Sequence, residues 1–228
     1  LFTVYKNSLF VALLTALFGT LIAYGAALIT ARSNVHRWCK QVIEAIALIT
    51  NTIPGMVLGL AFLFSFSGTS LQNTFTLMIV CNIIHFFSTP YLMMKNALSK
   101  MNAGWETTAR LMGDSWIKTI TRVVTPNAAS SLLEVFSYYF INAMVTVSAL
   151  IFIAGARTMV ITTKIKQLQY VNKFNEVFVL SLLILFTNLI ARAVFSALAH
   201  RKTVKTQSKE RKLKPMKRIA AMMLAGVI

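Results

Sequence analysis

At 228 residues, 57% hydrophobic and 13% charged, with a mean hydropathy of +0.68, the chain carries more apolar surface than a soluble domain of its length can hide. That composition points to an integral membrane protein. The net charge of +17 does not indicate nucleic acid, because the cations sit in short clusters flanking apolar runs and do not interleave with exposed aromatics. Cys39 and Cys81 lie in different segments without metal-ligand spacing, so neither a disulfide framework nor a metal site is expected.

Five stretches have the roughly 20-residue apolar length that crosses a bilayer as a helix. They lie near residues 8–30, 41–66, 75–94, 128–153 and 177–199. Each must be helical, since lipid leaves unsatisfied backbone without partners. The expected fold is an all-α integral membrane protein of about five transmembrane helices. Pro54, in "TNTIPG", is expected to kink the second span. Gly55 and Gly59 form a small-xxx-small pair there, read either as helix packing or as a bend beside a solute path. Asn82 and His85 stand one turn apart in the third span, and Asn142 lies in the fourth. They read either as interhelix contacts or as lining of that path. Glu134 and Arg192 fall in the same third of the fourth and fifth spans, where charges are costly and usually paired. They read either as a facing pair or with Arg192 snorkelling to the interface, as a long side chain favours. Glu44 is close enough to the interface to need no partner.

Lysine and arginine orient the chain. With the loop after the third span cytoplasmic, the inner segments hold Arg32, Arg37, Lys40, Lys95, Lys100, Arg110, Lys118, Arg122 and nine more cations between 201 and 218. The outer segments hold Lys6, Arg157, Lys164, Lys166 and Lys173. This places the N-terminus outside and the C-terminus in the cytoplasm. Residue 1 is Leu and no signal segment precedes the first span, so the chain is expected to be a fragment or the second half of a longer one. The outer loop cations Arg157, Lys164 and Lys166 could concentrate an anionic cargo, meet an acidic partner, or do neither. At the other end, "RKTVKTQSKERKLK" reads as a basic cytoplasmic tail drawn to anionic headgroups. "MKRIAAMMLAGVI" then resembles the start of a signal peptide, as if the frame ran into a neighbouring gene, or else forms an amphipathic tail.

Between the third and fourth spans lies a polar stretch, 102–126. Trp105, Ala109, Met112 and Trp116 recur at helical spacing. Asn102 is a plausible N-cap, Gly113 a helix stop, and Asp114 or Ser115 the cap of a second helix that Pro126 closes. Two short amphipathic helices with a glycine corner could lie on the bilayer or dock into a groove of a cytoplasmic partner.

This stretch resembles the "EAA" signature of ABC importer permeases: E-A-A, three residues, G, nine residues, I-x-L-P. Here it reads Thr107-Thr108-Ala109, then Gly113, then Val123-Val124-Thr125-Pro126, with Ala, Gly and Pro in register. It departs at the acid and one alanine, both Thr, and at Val123 and Thr125; Glu106 stands one residue before the usual acid. "TIPGMVLGLAFLFSF" resembles the branch serving ferric iron, polyamines, thiamine and phosphonates. "FINAMVTVSALIFIAGARTMVITTKIKQLQ" is most similar to 2-aminoethylphosphonate permeases. The resemblance covers roughly residues 1–200. It implies a bacterial inner-membrane permease subunit that works with a cytoplasmic ATPase dimer, a second permease half and an extracytoplasmic solute-binding protein. Its coupling set would be Trp105, Glu106, Ala109, Arg110, Met112, Gly113 and Asp114. Gly113 would make the corner, Glu106 and Arg110 would meet the ATPase, and Trp105 and Met112 would pack the coupling helix. Pro54, Gly55, Asn82, His85 and Asn142 remain path candidates.

The sequence has no G-x-x-x-x-G-K-[ST] phosphate loop, so ATP and Mg²⁺ belong to the partner ATPase and this chain binds no cofactor. It also offers no catalytic constellation: His36, His85 and His200 are scattered. A secondary transporter would want acids near the midplane and an inverted repeat, and neither is visible.

Overall fold

The computed structural model describes residues 2–102 and 104–225, with side chains as far as 202, and every regular element among them is helical. The central element is α1, Phe2–Arg32, 31 residues without a break. Ala12, Ala16, Gly19, Ala23 and Ala27 form a buried seam along it. Small side chains there let neighbouring helices approach closely. The opposite face, with Phe10, Leu13, Leu17, Phe18, Leu21 and Ile22, is exposed.

The second expected span divides in two. Helix α2, Arg37–Ile49, starts at a His36 cap whose ring nitrogen Nδ1 accepts from the Trp38 amide, and α3 runs Gly55–Phe66. Pro54 does not kink one continuous helix. It stands as the N-cap of α3 with ψ 137°, because proline supplies no amide hydrogen and disfavours helical geometry in the residue before it. Glu44 on α2 is ion-paired with Lys95, so it does have a partner.

The third span comprises α4, Phe75–His85, and α5, Ser88–Ser99, bent by 56°. Pro90 in the first turn of α5 cannot donate to the carbonyl of Phe86, which accounts for a corner at that point. The loop segment forms α6, Gly104–Leu111, and α7, Trp116–Thr119, followed by a π-turn at Ile120–Val124 and the short α8, Thr125–Asn127. Helix α9, Ala129–Val145, is then interrupted before α10, Leu150–Ile153, so the fourth expected span is also not one helix. The Thr162 hydroxyl donates to the Thr146 carbonyl at 2.8 Å, satisfying backbone freed by that interruption. Helix α11, Ile161–Tyr170, leads into α12, Phe174–Ala225.

By length and composition α1 and residues 174–202 of α12 can cross a membrane, and the bent α4–α5 pair makes a third candidate. The remaining two expected spans are each built from shorter helices. The basic tail and the segment from Met216 fall where side chains are not described, and 226–228 lie outside the described residues.

The main core joins α1, α5 and α9 around Tyr91, Met94, Leu98 and Tyr139, all fully buried. A second cluster gathers Leu58, Met78, Cys81, Leu150 and Ile153 from α3, α4 and α10. A third packs Ile161 and Leu168 of α11 on Leu180 and Ile184 of α12.

Candidate functional site

The 102–126 segment is shaped by local chemistry at each corner. The Asn102 side chain accepts from the Gly104 amide at 2.8 Å, as expected of a cap. Helix α6 ends in a Schellman turn: the Gly113 amide donates to the Arg110 carbonyl and the Asp114 amide to the Ala109 carbonyl. Gly113 has φ +79°, the left-handed region glycine enters at little cost. Ser115, not Asp114, caps α7 by accepting from the Lys118 amide. Asp114 instead forms an ion pair with Lys118.

The predicted stripe of Trp105, Ala109, Met112 and Trp116 does not survive the corner. Trp105 is half-buried against the main core, and Ala109 is half-buried too. Met112 lies past the end of α6 and is 77% exposed. Around it stand Leu111, 85% exposed, and Ile117, 68% exposed, with the partly exposed Trp116. The turn therefore presents an apolar knob, and Arg110 is exposed beside it. The sequence places Ile117 with Ile120 and Val124 on one apolar stripe of the second helix; the last two are buried and Ile117 is not, while Leu111, at the turn, carries no periodic signal.

Glu106 is not turned outward. Its carboxylate meets Arg32, at the end of α1, in a two-point pair: Nε to Oε1 at 2.6 Å and Nη2 to Oε2 at 2.8 Å, with the side chains 4% and 15% exposed. The same guanidinium donates to the carbonyls of Met101 at 2.9 Å, Asn102 at 3.0 Å and Leu98 at 3.5 Å, which terminate α5. Four of the five guanidinium donors are thus hydrogen-bonded, and Nε faces the carboxylate as an ion pair only. Arg32 was read only as an orienting cation; the residue it serves lies far along the chain.

A second link from α1 reaches the far side of the segment. The Thr125 hydroxyl donates to the Ile120 carbonyl at 2.9 Å, so Tyr24 donates to Thr125 across 2.6 Å. Thr125 is one of the departures from the EAA pattern, and its hydroxyl holds the wide π-turn that precedes Pro126. A cleft of about 700 Å³ lies between this segment and the end of α1, lined by Arg32, Lys40, Glu106, Arg110 and Trp116 among others.

The path candidates fall in two places. Gly55 lies against α4 and the α9–α10 break: an added Cβ would come 2.3 Å from Ser148 Oγ and 3.0 Å from the His85 ring. Pro54 is exposed at the same helix start. Asn82, one turn before His85, is fully buried, and neither of its side-chain polar atoms has a partner among the described residues. Such a group normally holds water or a ligand. Asn142 stands apart. It donates to the Tyr138 carbonyl and lines a different cleft of about 700 Å³ between α9 and α12. Glu134 and Arg192 both line that cleft, but no ion pair joins them among the described residues.

In the segment between α10 and α12, Arg157 and Lys166 are exposed, and Lys164 donates to Gln167. Lys173 pairs with Glu176 at 3.2 Å. The cations are therefore partly engaged within the loop.

The ferric transport system permease protein FbpB of Actinobacillus pleuropneumoniae is 30% identical over 154 residues, covering 67% of this chain and 22% of that protein. A Haemophilus influenzae protein provisionally named for ferric transport, FbpB 1, is 33% identical over 151 residues, covering 64% and 23%. The chain thus spans under a quarter of the length of these relatives. The molybdate/tungstate permease WtpB of Pyrococcus furiosus is 26% identical over 151 residues, covering 65% and 59%. In fold, the chain is similar to a chain of the MetNI methionine ABC transporter in an inward-facing conformation, with a TM-score of 0.71 at 16% identity over 86% of this chain and 93% of that one. The model of the binding-protein-dependent transport system inner membrane component matches residues 9–204, and the chain belongs to that family.

Proposed function

We propose that this chain is the membrane-spanning subunit of an ATP-driven importer and that its 102–126 segment docks into a separate cytoplasmic ATPase dimer. The observation that carries this reading is the knob of Leu111, Met112 and Ile117. It is exposed at a glycine corner whose backbone is fixed by caps at both ends. Exposed apolar side chains on a rigid turn suit insertion into a partner's groove. In this reading Met112 and Leu111 enter the groove, Arg110 and Trp116 flank it, and Gly113 and Asp114 make the corner. Trp105, Ala109 and Glu106 hold the segment to the bundle. The corner faces the cytoplasm, and the N-terminal end of α1 lies outside. The five expected spans pass through the bilayer with α2–α3 and α9–α10 as broken ones. ATP and Mg²⁺ reside on the ATPase, a second permease half completes the path, and a solute-binding protein delivers cargo.

The path residues are Pro54, Gly55, Asn82 and His85, with Asn142 lining a separate cleft. For cargo, the stretch from Phe140 to Gln169 supports 2-aminoethylphosphonate, with the outer cations Arg157, Lys164 and Lys166 drawing in the anion. The two relatives named for ferric transport favour ferric iron as the second reading.

Co-purification tests the docking. Leu111→Glu with Met112→Glu removes ATPase from the purified assembly while leaving the permease in the membrane, since substitutions at such exposed positions change stability by only about 0.5 kcal/mol. ATPase retained at wild-type yield contradicts the reading. Uptake of radiolabelled 2-aminoethylphosphonate and of radiolabelled ferric iron, in cells with and without the gene, decides between the cargoes.

A further inference from the structure

Polar contacts at both ends of α1 tie together two regions that the rest of the fold keeps apart. At one end Arg32 grips Glu106 and the close of α5, and Tyr24 grips Thr125 at the π-turn. These grips lie on the two sides of the Gly113 corner. They are separated by eight residues of α1, about 12 Å of helix rise. Two-point attachment resists rotation of the segment about either contact, which a lone ion pair would allow.

At the other end Asn7 Nδ2 donates to the carbonyls of Arg157 at 3.1 Å and Met159 at 3.0 Å. Ser8 Oγ accepts from the Ile161 amide at 2.8 Å, at the start of α11. These contacts hold the basic outer loop. Between the two ends α1 is a continuous helix of 31 residues, about 46 Å long. It contains no proline, and the small-residue seam packs it closely along its length. Each neighbouring spanning candidate except α12 is broken or bent. A displacement imposed on an unbroken, close-packed helix reappears at its far end, because packed interiors transmit strain.

We propose that α1 is the connecting rod of the transporter: it carries movement of the 102–126 segment to the basic outer loop, with Arg32 and Tyr24 as positioning residues at one end and Asn7 and Ser8 at the other. This rests on the docking reading above. Movement at the segment repositions Arg157 and α11 at the mouth, so docking on one side and access on the other become one event.

The test uses the full transporter with its ATPase in nanodiscs and a Cys39→Ser background; Cys81 is buried and does not label. An environment-sensitive fluorophore is attached at Arg122→Cys, beside the docking knob, or, separately, at Lys166→Cys, both exposed sites. In the otherwise unaltered transporter, ATP with vanadate shifts the emission of both. Asn7→Ala with Ser8→Ala leaves the shift at 122 and abolishes it at 166. Tyr24→Phe with Thr125→Val does the same by cutting the other end, whereas Thr125→Ser, which keeps the hydroxyl, retains both shifts. Arg32→Gln is a third cut; the Tyr24 pair keeps the test decisive if Arg32→Gln fails to fold. A shift at 166 that persists in both cut variants overturns the rod. A silent 166 beside a responsive 122 in the unaltered transporter overturns the rod alone, and a silent 122 there overturns the docking reading with it.

Discussion

Replacing Arg32 with glutamine lowers the unfolding free energy of the bundle by about 3–5 kcal/mol, the usual effect of removing one partner from a buried ion pair. The change leaves the Glu106 carboxylate, 15% exposed, without its counter-charge, and it frees the carbonyls of Met101 and Asn102 that terminate α5. Arg32→Lys restores only part of the loss. Its ammonium keeps the counter-charge, but with three donors and no planar fork it cannot meet a carboxylate at two points and also reach carbonyls on another segment. Glu106→Gln is milder than Arg32→Gln, because its amide oxygen still accepts from the guanidinium, whose other donors keep their carbonyls. Denaturant titration in detergent ranks the three; the largest loss for Arg32→Gln, with smaller ones for Arg32→Lys and Glu106→Gln, is the expected order. A lysine variant as stable as wild type would mean the fork geometry is unimportant.

Gly59→Ala is expected to damage the other side of the molecule. The added methyl would sit 2.5 Å from the Ala149 carbonyl oxygen and 2.8 Å from its Cα, both backbone atoms. Backbone cannot swing aside as a flexible side chain can, so α3 must move away from the break between α9 and α10. Overpacking of this kind costs about 1–3 kcal/mol. Since Gly55, His85 and Ser148 meet at the same contact, amide exchange at 146–150 should rise along with the loss in stability. At Gly113 an added Cβ meets nothing within 4 Å, so alanine there strains only the φ +79° backbone. Equal losses at the two glycines would contradict the close approach at Gly59.

The contrast between these residues shows what the sequence carried. Asn102, Gly113 and Ser115 were legible as cap, stop and cap because each acts within a few residues of itself. Pro54 was legible as an interruption, but whether proline kinks or ends a helix depends on what packs around it, and here the α9–α10 break lies against Gly55 and Gly59 from far along the chain. The same holds for the bend after His85. It sits inside an apolar run, where Pro90 in the first turn of a new helix gives no periodic signal of its own. The fourth span was read as continuous because Thr146 and Ser148 look like tolerable polar residues in an apolar run.

Within the candidate site the local shape was foreseen and the attachments were not. Glu106 was read as facing a partner, because an acid on an amphipathic turn looks solvated until a buried cation is found for it. Arg32 is that cation, and no spacing rule links the two. Thr125 looked like a lapse from the motif; beside Tyr24 its hydroxyl has a place. The direct pairing of Glu134 and Arg192 is not realised: the two line one cleft without an ion pair between them among the described residues, and equal depth along two helices does not fix contact.

The most direct test of the central claim is the side of the membrane on which the Gly113 corner lies. A membrane-impermeant maleimide applied to vesicles carrying Met112→Cys in the Cys39→Ser background, expressed without the ATPase so that the corner is uncovered, should label inside-out vesicles and leave right-side-out vesicles unlabelled. Labelling of intact right-side-out vesicles would put the corner beyond the reach of any cytoplasmic ATPase and contradict the account.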